Sequence, residues 1–181
     1  MQLNHLLTAA ISLVVMGYLC YQALPKKNSL HKVNQKKAKI LLKHLQHRNY
    51  DHAYVFGILR NTNPFVFEEL LLLCFKKKGY KIKTNHAYTG DGGIDGTFFD
   101  KQGNKFLIQA KRYKNTITPQ HVKEFGLVVK RQGAAGGFFI HTGRTGFKSY
   151  ENLTTNIRFI SGKKLLNLLG LVQVSSMTDC T

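Results

Sequence analysis

The chain has 181 residues, with 27 lysines and arginines against 9 aspartates and glutamates, a formal net charge of +18. That length holds one compact domain plus extra segments, and that charge directs the protein to a polyanion, either nucleic acid or an anionic membrane surface. Three scattered cysteines (Cys20, Cys74, Cys180) exclude a disulfide framework, and no Cys/His spacing suits a structural zinc.

In chain order, Leu3 to Leu24 carries no Asp, Glu, Lys or Arg. A membrane helix needs roughly 20 mostly apolar residues, so residues 1–24 read as a transmembrane anchor. Met1 to His5 lacks a basic n-region and Ala23-Leu24-Pro25 is a poor cleavage site, so the anchor is expected to stay uncleaved. Lys26, Lys27, Lys32, Lys36, Lys37 and Lys39 follow it, and no acid occurs before Asp51. The positive-inside rule then predicts a single-pass membrane protein with its C-terminal domain in the cytoplasm. The lysines would also hold anionic lipid. Residues 25–62 read as a basic helical linker: Lys32 to Arg48 has only Ile40, Leu41, Leu42 and Leu45 as an apolar face, and Asp51 to Arg60 adds a short helix.

A folded domain is expected over residues 63–170, with a tail over 171–181. Asn63-Pro64 is a helix start, Phe67, Leu70, Leu71, Cys74 and Phe75 recur at helical spacing, and Gly79 ends the helix. Tyr80 to Thr84, Ile94 to Phe99 and Lys105 to Lys111 read as three strands, the last two joined by a turn at Lys101-Gln102-Gly103-Asn104. A helix follows from Thr118-Pro119 to about Arg131. Then come a strand at Phe138 to His141, a short helix from Gly146, a strand at Ile157 to Ile160 and a helix at Lys163 to Leu169. The order α-β-β-β-α-β-α-β-α describes an α/β fold with a mixed central sheet flanked by helices.

Five of the nine acids (Glu68, Glu69, Asp91, Asp95, Asp100) fall between positions 68 and 100, although acids are scarce. Carboxylates gathered in a basic protein point to a cation site facing a polyanion. Alternation along the third strand puts Gln109 and Lys111 on one face and Phe106, Ile108 and Ala110 on the other. A hairpin brings Asp95 beside them, so a carboxylate, an amide oxygen and an ammonium meet at one end of a sheet. Phosphodiester hydrolysis uses a hard cation to polarise the phosphate and acidify the attacking water. Magnesium accepts one carboxylate with neutral oxygens and waters, and manganese can substitute. Asp95 is the main candidate ligand, with Gln109 and the Ala110 carbonyl as neutral ligands. Lys111 is placed to orient the water and stabilise charge on the phosphate. Glu68 has two readings: support for the metal through water, or an acid suited to a helix N-terminus. Asp91, among Gly90, Gly92 and Gly93, is an accessory ligand or part of a glycine turn. A calcium loop is excluded, because Gly93 and Gln102 fall at its third and twelfth positions. Arg112, Tyr113, Lys114, Lys123, Lys130, Arg131, Arg144 and Lys148 are candidate phosphate contacts.

Phe67-Glu68, Gly79-Tyr80, Gly90-Asp91-Gly92-Gly93-Ile94-Asp95 and Gln109-Ala110-Lys111-Arg112-Tyr113 give the segment from about Asn63 to Leu169 a family likeness. It resembles the Mrr-like catalytic domains of the restriction-endonuclease-like (PD-(D/E)xK) nuclease superfamily, which commonly show Gln at the position of Gln109. The resemblance implies a divalent-metal DNA endonuclease with Asp95, Gln109 and Lys111 as its core, Glu68 and Asp91 as accessories, and a role in DNA restriction or defence. It implies DNA as partner and raises a homodimer, since one site cuts one strand. Two other functions stay open: a catalytically silent, membrane-tethered DNA-binding module, and a nuclease selective for junctions or single strands.

Overall fold

The computed structural model describes residues 11–19, 27–47, 50–83, 93–153 and 156–172. Two compact units divide the chain between Val33 and Asn34. In the first, residues 11–19 form a helix (α1) with exposed side chains. The rest of the expected anchor, residues 1–10 and 20–24, lies outside the described residues, and among the described residues no helix is long and apolar enough to cross a membrane.

In the second unit the chain forms α2 (Lys27–His47, from Asn34 onward), α3 (His52–Asn61) and α4 (Pro64–Lys77). Asn63 caps α4: its side-chain oxygen accepts from Phe65 N at 3.0 Å and Val66 N at 3.4 Å, satisfying donors the helix cannot, and Pro64 needs none. Gly79, at φ 89°, turns the chain into β1 (Lys81–Lys83). Then follow β2 (Gly96–Phe99), β3 (Lys105–Lys111), α5 (Pro119–Arg131), β4 (Gly136–His141), α6 (Phe147–Glu151), β5 (Ile157–Ile160) and α7 (Gly162–Leu168). The five strands form one sheet in the order β1-β2-β3-β4-β5. The first three are antiparallel, and β3, β4 and β5 run parallel through the crossovers that carry α5 and α6.

Central strand β3 divides the core as its alternation requires. Ile108, with Phe106 and Ala110, packs into a cluster with α2, α3, α4 and α7, where Phe98 stacks on Phe75 and Phe106 at centroid distances of 5.2 Å. Leu107 faces the other way, into a second cluster with Val122, Phe125 and Val129 of α5 and Phe139 of β4. Cys74 is buried in the first cluster, and burial pushes its thiol up to about 11, which leaves it an inert apolar filler.

The expected linker contributes to this core. Ala38, Leu42 and Leu45 of α2 and Val55 and Leu59 of α3 are buried in the first cluster, and Gln46 Nε2 donates to Leu169 O at 2.6 Å beyond the end of α7. A sparse apolar stripe suffices because it only has to cover one side of α4, and Ile40, outside that stripe, stays 69% exposed. Leu42→Ala should therefore lower stability by about 2–5 kcal/mol in chemical denaturation of the full-length chain. An unchanged midpoint would mean that α2 is a free spacer.

Candidate active site

At the start of β2 the sheet stops being held by backbone alone. The β2–β3 ladder keeps register from Phe99↔Lys105 to Gly96↔Ile108. Beyond Gly96 it slips by one residue, because Asp95 N donates to Ile108 O at 2.9 Å. Side chains then make the bonds: Asp95 Oδ2 accepts from Ala110 N at 2.6 Å, and Gln109 Nε2 donates to Gly93 O at 2.8 Å. This is why β2 begins at Gly96 and not at Ile94. Gly93 is required here twice over. Its φ is 81°, and a Cβ on it would lie 2.7 Å from Gln109 Nε2.

The bond to Gly93 O needs a donor, so it fixes the Gln109 amide with its oxygen turned the other way. Gln109 is only 6% exposed, and its Oε1 is buried with no hydrogen-bond partner among the described residues. An unpaired buried oxygen costs about 1–3 kcal/mol, so a native site that holds one is suited to a ligand that completes it. A neutral amide oxygen and a carboxylate, here brought to the same end of the β2–β3 pair, are donor types that hard divalent cations accept. Asp95 and Gln109 fit such an ion on these grounds. No group of three or more His, Cys, Asp or Glu side chains with metal-binding geometry occurs among the described residues, and Asp91 lies outside them. Lys111, half-buried, ends β3 on the same face as Gln109 and in register with His141 of β4.

A second set of bonds fixes the far end of β3. Arg112 Nη1 donates to the carbonyls of Arg60 and Thr62 at the end of α3. Arg60 in turn donates to Thr142 O from Nε at 3.2 Å and from Nη2 at 2.9 Å. Thr142 Oγ1 accepts from Tyr113 N at 2.9 Å and donates to Tyr113 O at 3.0 Å. The two arginines thus clasp α3 to the ends of β3 and β4, one residue beyond the Lys111–His141 pair. Sequence reading missed Arg60, which lies in the expected linker; the signal that could have found it is a lone arginine closing an otherwise apolar helix. Arg112, expected on phosphate, has Nη1 engaged with α3. Tyr113 OH bonds His121 Nδ1, and burial raises its phenol further above the ordinary range.

The remaining expected residues are dispersed. Glu68 is half-buried on α4, the helix whose apolar side packs against Ile108. Asp100 serves the β2–β3 turn, accepting from Gln102 N and Asn104 N, and hydrogen bonding, first from the Asn104 side chain, holds its carboxyl below the usual range. Lys114, Lys123, Lys130, Arg131, Arg144 and Lys148 are exposed, and of these Lys114, Arg144 and Lys148 lie on the loops and helix that follow β3 and β4. His141 is fully buried, with Nε2 3.1 Å from Thr145 Oγ1, and burial lowers its pKa from 6.5 to about 4. Cavities of about 430 and 470 Å³ lie between α2 and α4, lined by none of Asp95, Gln109 or Lys111.

Residues 59–169 match the family model Mrr_cat, described as a restriction endonuclease. The chain belongs to that family. The matched stretch holds Asp95, Gln109, Ala110 and Lys111, and it begins one residue before Arg60, so the clasp belongs to the family domain. Over 121 residues the chain is 31% identical to the type IV methyl-directed restriction enzyme EcoKMrr of Escherichia coli (strain K12), a region that is 61% of this chain and 39% of that protein. The chain thus spans well under half the length of that relative. Among solved structures it is similar to the DNA modification-dependent restriction endonuclease AspBHI (TM-score 0.44, 16% identity, 66% of this chain and 34% of that one). It is also similar to the MspJI restriction endonuclease in complex with a 27-mer oligonucleotide (TM-score 0.37, 19% identity, 81% and 32%).

Two outcomes follow from the geometry. Gly93→Ala forces Gln109 to move and should lower catalytic turnover by about 10–100-fold, the usual effect of losing a residue that orients a ligand, with the fold retained by circular dichroism; unchanged turnover would show that the Gln109 orientation does not matter. Acid should weaken the fold through His141. The unfolded chain binds a proton below about 6.5 while the folded chain resists until about 4, so stability falls as pH drops across that window. In His141→Phe, denaturation midpoints measured across the same window should vary less with pH, and an unaltered slope would assign the effect elsewhere.

Proposed function

We propose that the protein is a divalent-metal-dependent DNA endonuclease that hydrolyses phosphodiester bonds in restriction or defence against foreign DNA. The observation that carries this reading is the buried Oε1 of Gln109, without a hydrogen-bond partner among the described residues, at the end of the strand pair where Asp95 accepts from Ala110 N, with Lys111 two residues further along the strand. Asp95, Gln109 Oε1 and the Ala110 carbonyl would hold the ion. Magnesium or manganese bound there would polarise the phosphate and lower the pKa of the attacking water. Ala110 N, donating to Asp95 Oδ2, fixes the orientation of the carboxylate. The Lys111 ammonium stabilises negative charge as it builds on the phosphate and orients the water for attack. Glu68 and Asp91 act as accessories. Lys114, Lys123, Lys130, Arg144 and Lys148 take flanking phosphates.

The reading extends to the rest of the chain. Residues 1–24 form a single transmembrane anchor and the nuclease domain faces the cytoplasm. What supports this is the uncharged run from Leu3 to Leu24 followed by six lysines. Two copies would act together where both strands are cut.

Full-length protein in mild detergent, incubated with supercoiled plasmid and magnesium, should relax and linearise it, and a chelator should stop the reaction. Asp95→Ala and Lys111→Ala should each lower the cleavage rate by at least roughly 100-fold while DNA is still bound. Cleavage at the parental rate by either variant would refute this site, and binding without cleavage on methylated, unmethylated and branched DNA would identify a tethered binder.

A further inference from the structure

Phe147 leaves 79% of its surface exposed, although the segment that carries it is tightly held. The loop leading to it leaves β4 at His141, the register partner of Lys111, so it starts at the same end of the sheet as the site. Thr145 Oγ1 is 3.1 Å from the buried His141 Nε2. Ile117 N donates to Arg144 O at 2.9 Å and Arg144 N to Asn115 O at 3.1 Å, lacing this loop in parallel to the one that follows β3. Gly146, immediately before Phe147, packs so close that a Cβ would lie 2.9 Å from Thr116 Cγ2, and its carbonyl accepts from Ser149 N at 3.0 Å. The aromatic ring is thus presented to solvent by a fixed rim.

Its neighbours are cationic. Arg144 and Lys148 flank it in sequence, Lys114 stands on the laced loop, and all three are exposed; the one acid nearby in sequence is Glu151, one turn along α6. An exposed ring bordered by cations matches what single-stranded nucleic acid requires: a π-face for a base and positive charge for the phosphates on either side. In duplex DNA the faces of stacked bases are closed to such a ring unless a step opens.

Resting on the nuclease reading above, we propose that Phe147 is a stacking platform for an unpaired or unstacked DNA base, with Arg144, Lys148 and Lys114 holding the adjoining phosphates. The substrate class is then DNA with a local distortion, such as a bulge, junction or single-stranded stretch, near the bond to be cut. Binding energy from the platform favours that DNA over a regular duplex of the same sequence.

The test uses full-length protein with a chelator present, so that binding is read without cleavage. Two short duplexes of one sequence are compared, one regular and one with an unpaired 2-aminopurine. The parent should bind the bulged duplex more tightly and quench the 2-aminopurine. Phe147→Ala should lose about tenfold in affinity for the bulged duplex and lose the quench, with regular-duplex affinity unchanged, and Phe147→Trp should restore both. Equal losses on both duplexes, or none, would overturn the proposal. So would sedimentation showing that Phe147→Ala only splits a dimer built on Phe147 with Leu127 and Tyr150, which are 61% and 56% exposed. A parent that binds neither duplex would instead overturn the nuclease reading, so the two failures are distinguishable.

Discussion

The site depends on a strand pair that finishes its hydrogen bonding with side chains. Where β2 leaves the ladder, the carboxylate of Asp95 takes the Ala110 N–H and the amide of Gln109 takes the Gly93 carbonyl. Each bond fixes the side chain that makes it. Once the amide nitrogen is committed to Gly93, its oxygen is left buried without a partner among the described residues. Backbone geometry at one glycine thereby decides which atom of Gln109 is left without a partner.

A second constraint acts on the other edge of β3. Parallel pairing of β3 with β4 places Lys111 beside His141, and the Arg60–Arg112 clasp ties the ends of both strands to α3. Lys111 is held between two fixed points, the side-chain bonds at Gln109 and the arginine bonds at Arg112. Precision of this kind is needed by a group that acts on a phosphate, since small misplacements weaken electrostatic stabilisation sharply. The same clasp gives α3 a structural role within the family domain.

Much of this was legible in the sequence because its signals are local. The period of 2 in Lys105 to Lys111 gave the face shared by Gln109 and Lys111, and Asn63-Pro64 marked the start of α4 within one residue. The role of α2 and α3 was not legible, because a sparse stripe such as Leu42 and Leu45 looks the same on a solvated helix as on one that covers another helix. Arg60 was hidden for a related reason: its partners, Thr142 O and the guanidinium of Arg112, are far away in the chain. In the sequence Arg112 and Lys148 are equivalent cations, whereas in the fold Arg112 Nη1 bonds the end of α3 and Lys148 is exposed, a distinction that depends on tertiary placement alone.

The central claim is that Asp95 and Gln109 together hold a divalent ion, and manganese binding to the full-length chain, followed by electron paramagnetic resonance, tests it most directly. The account predicts one site in the parent that is lost in Asp95→Ala and weakened in Gln109→Leu. Manganese bound as tightly by Asp95→Ala as by the parent would contradict it.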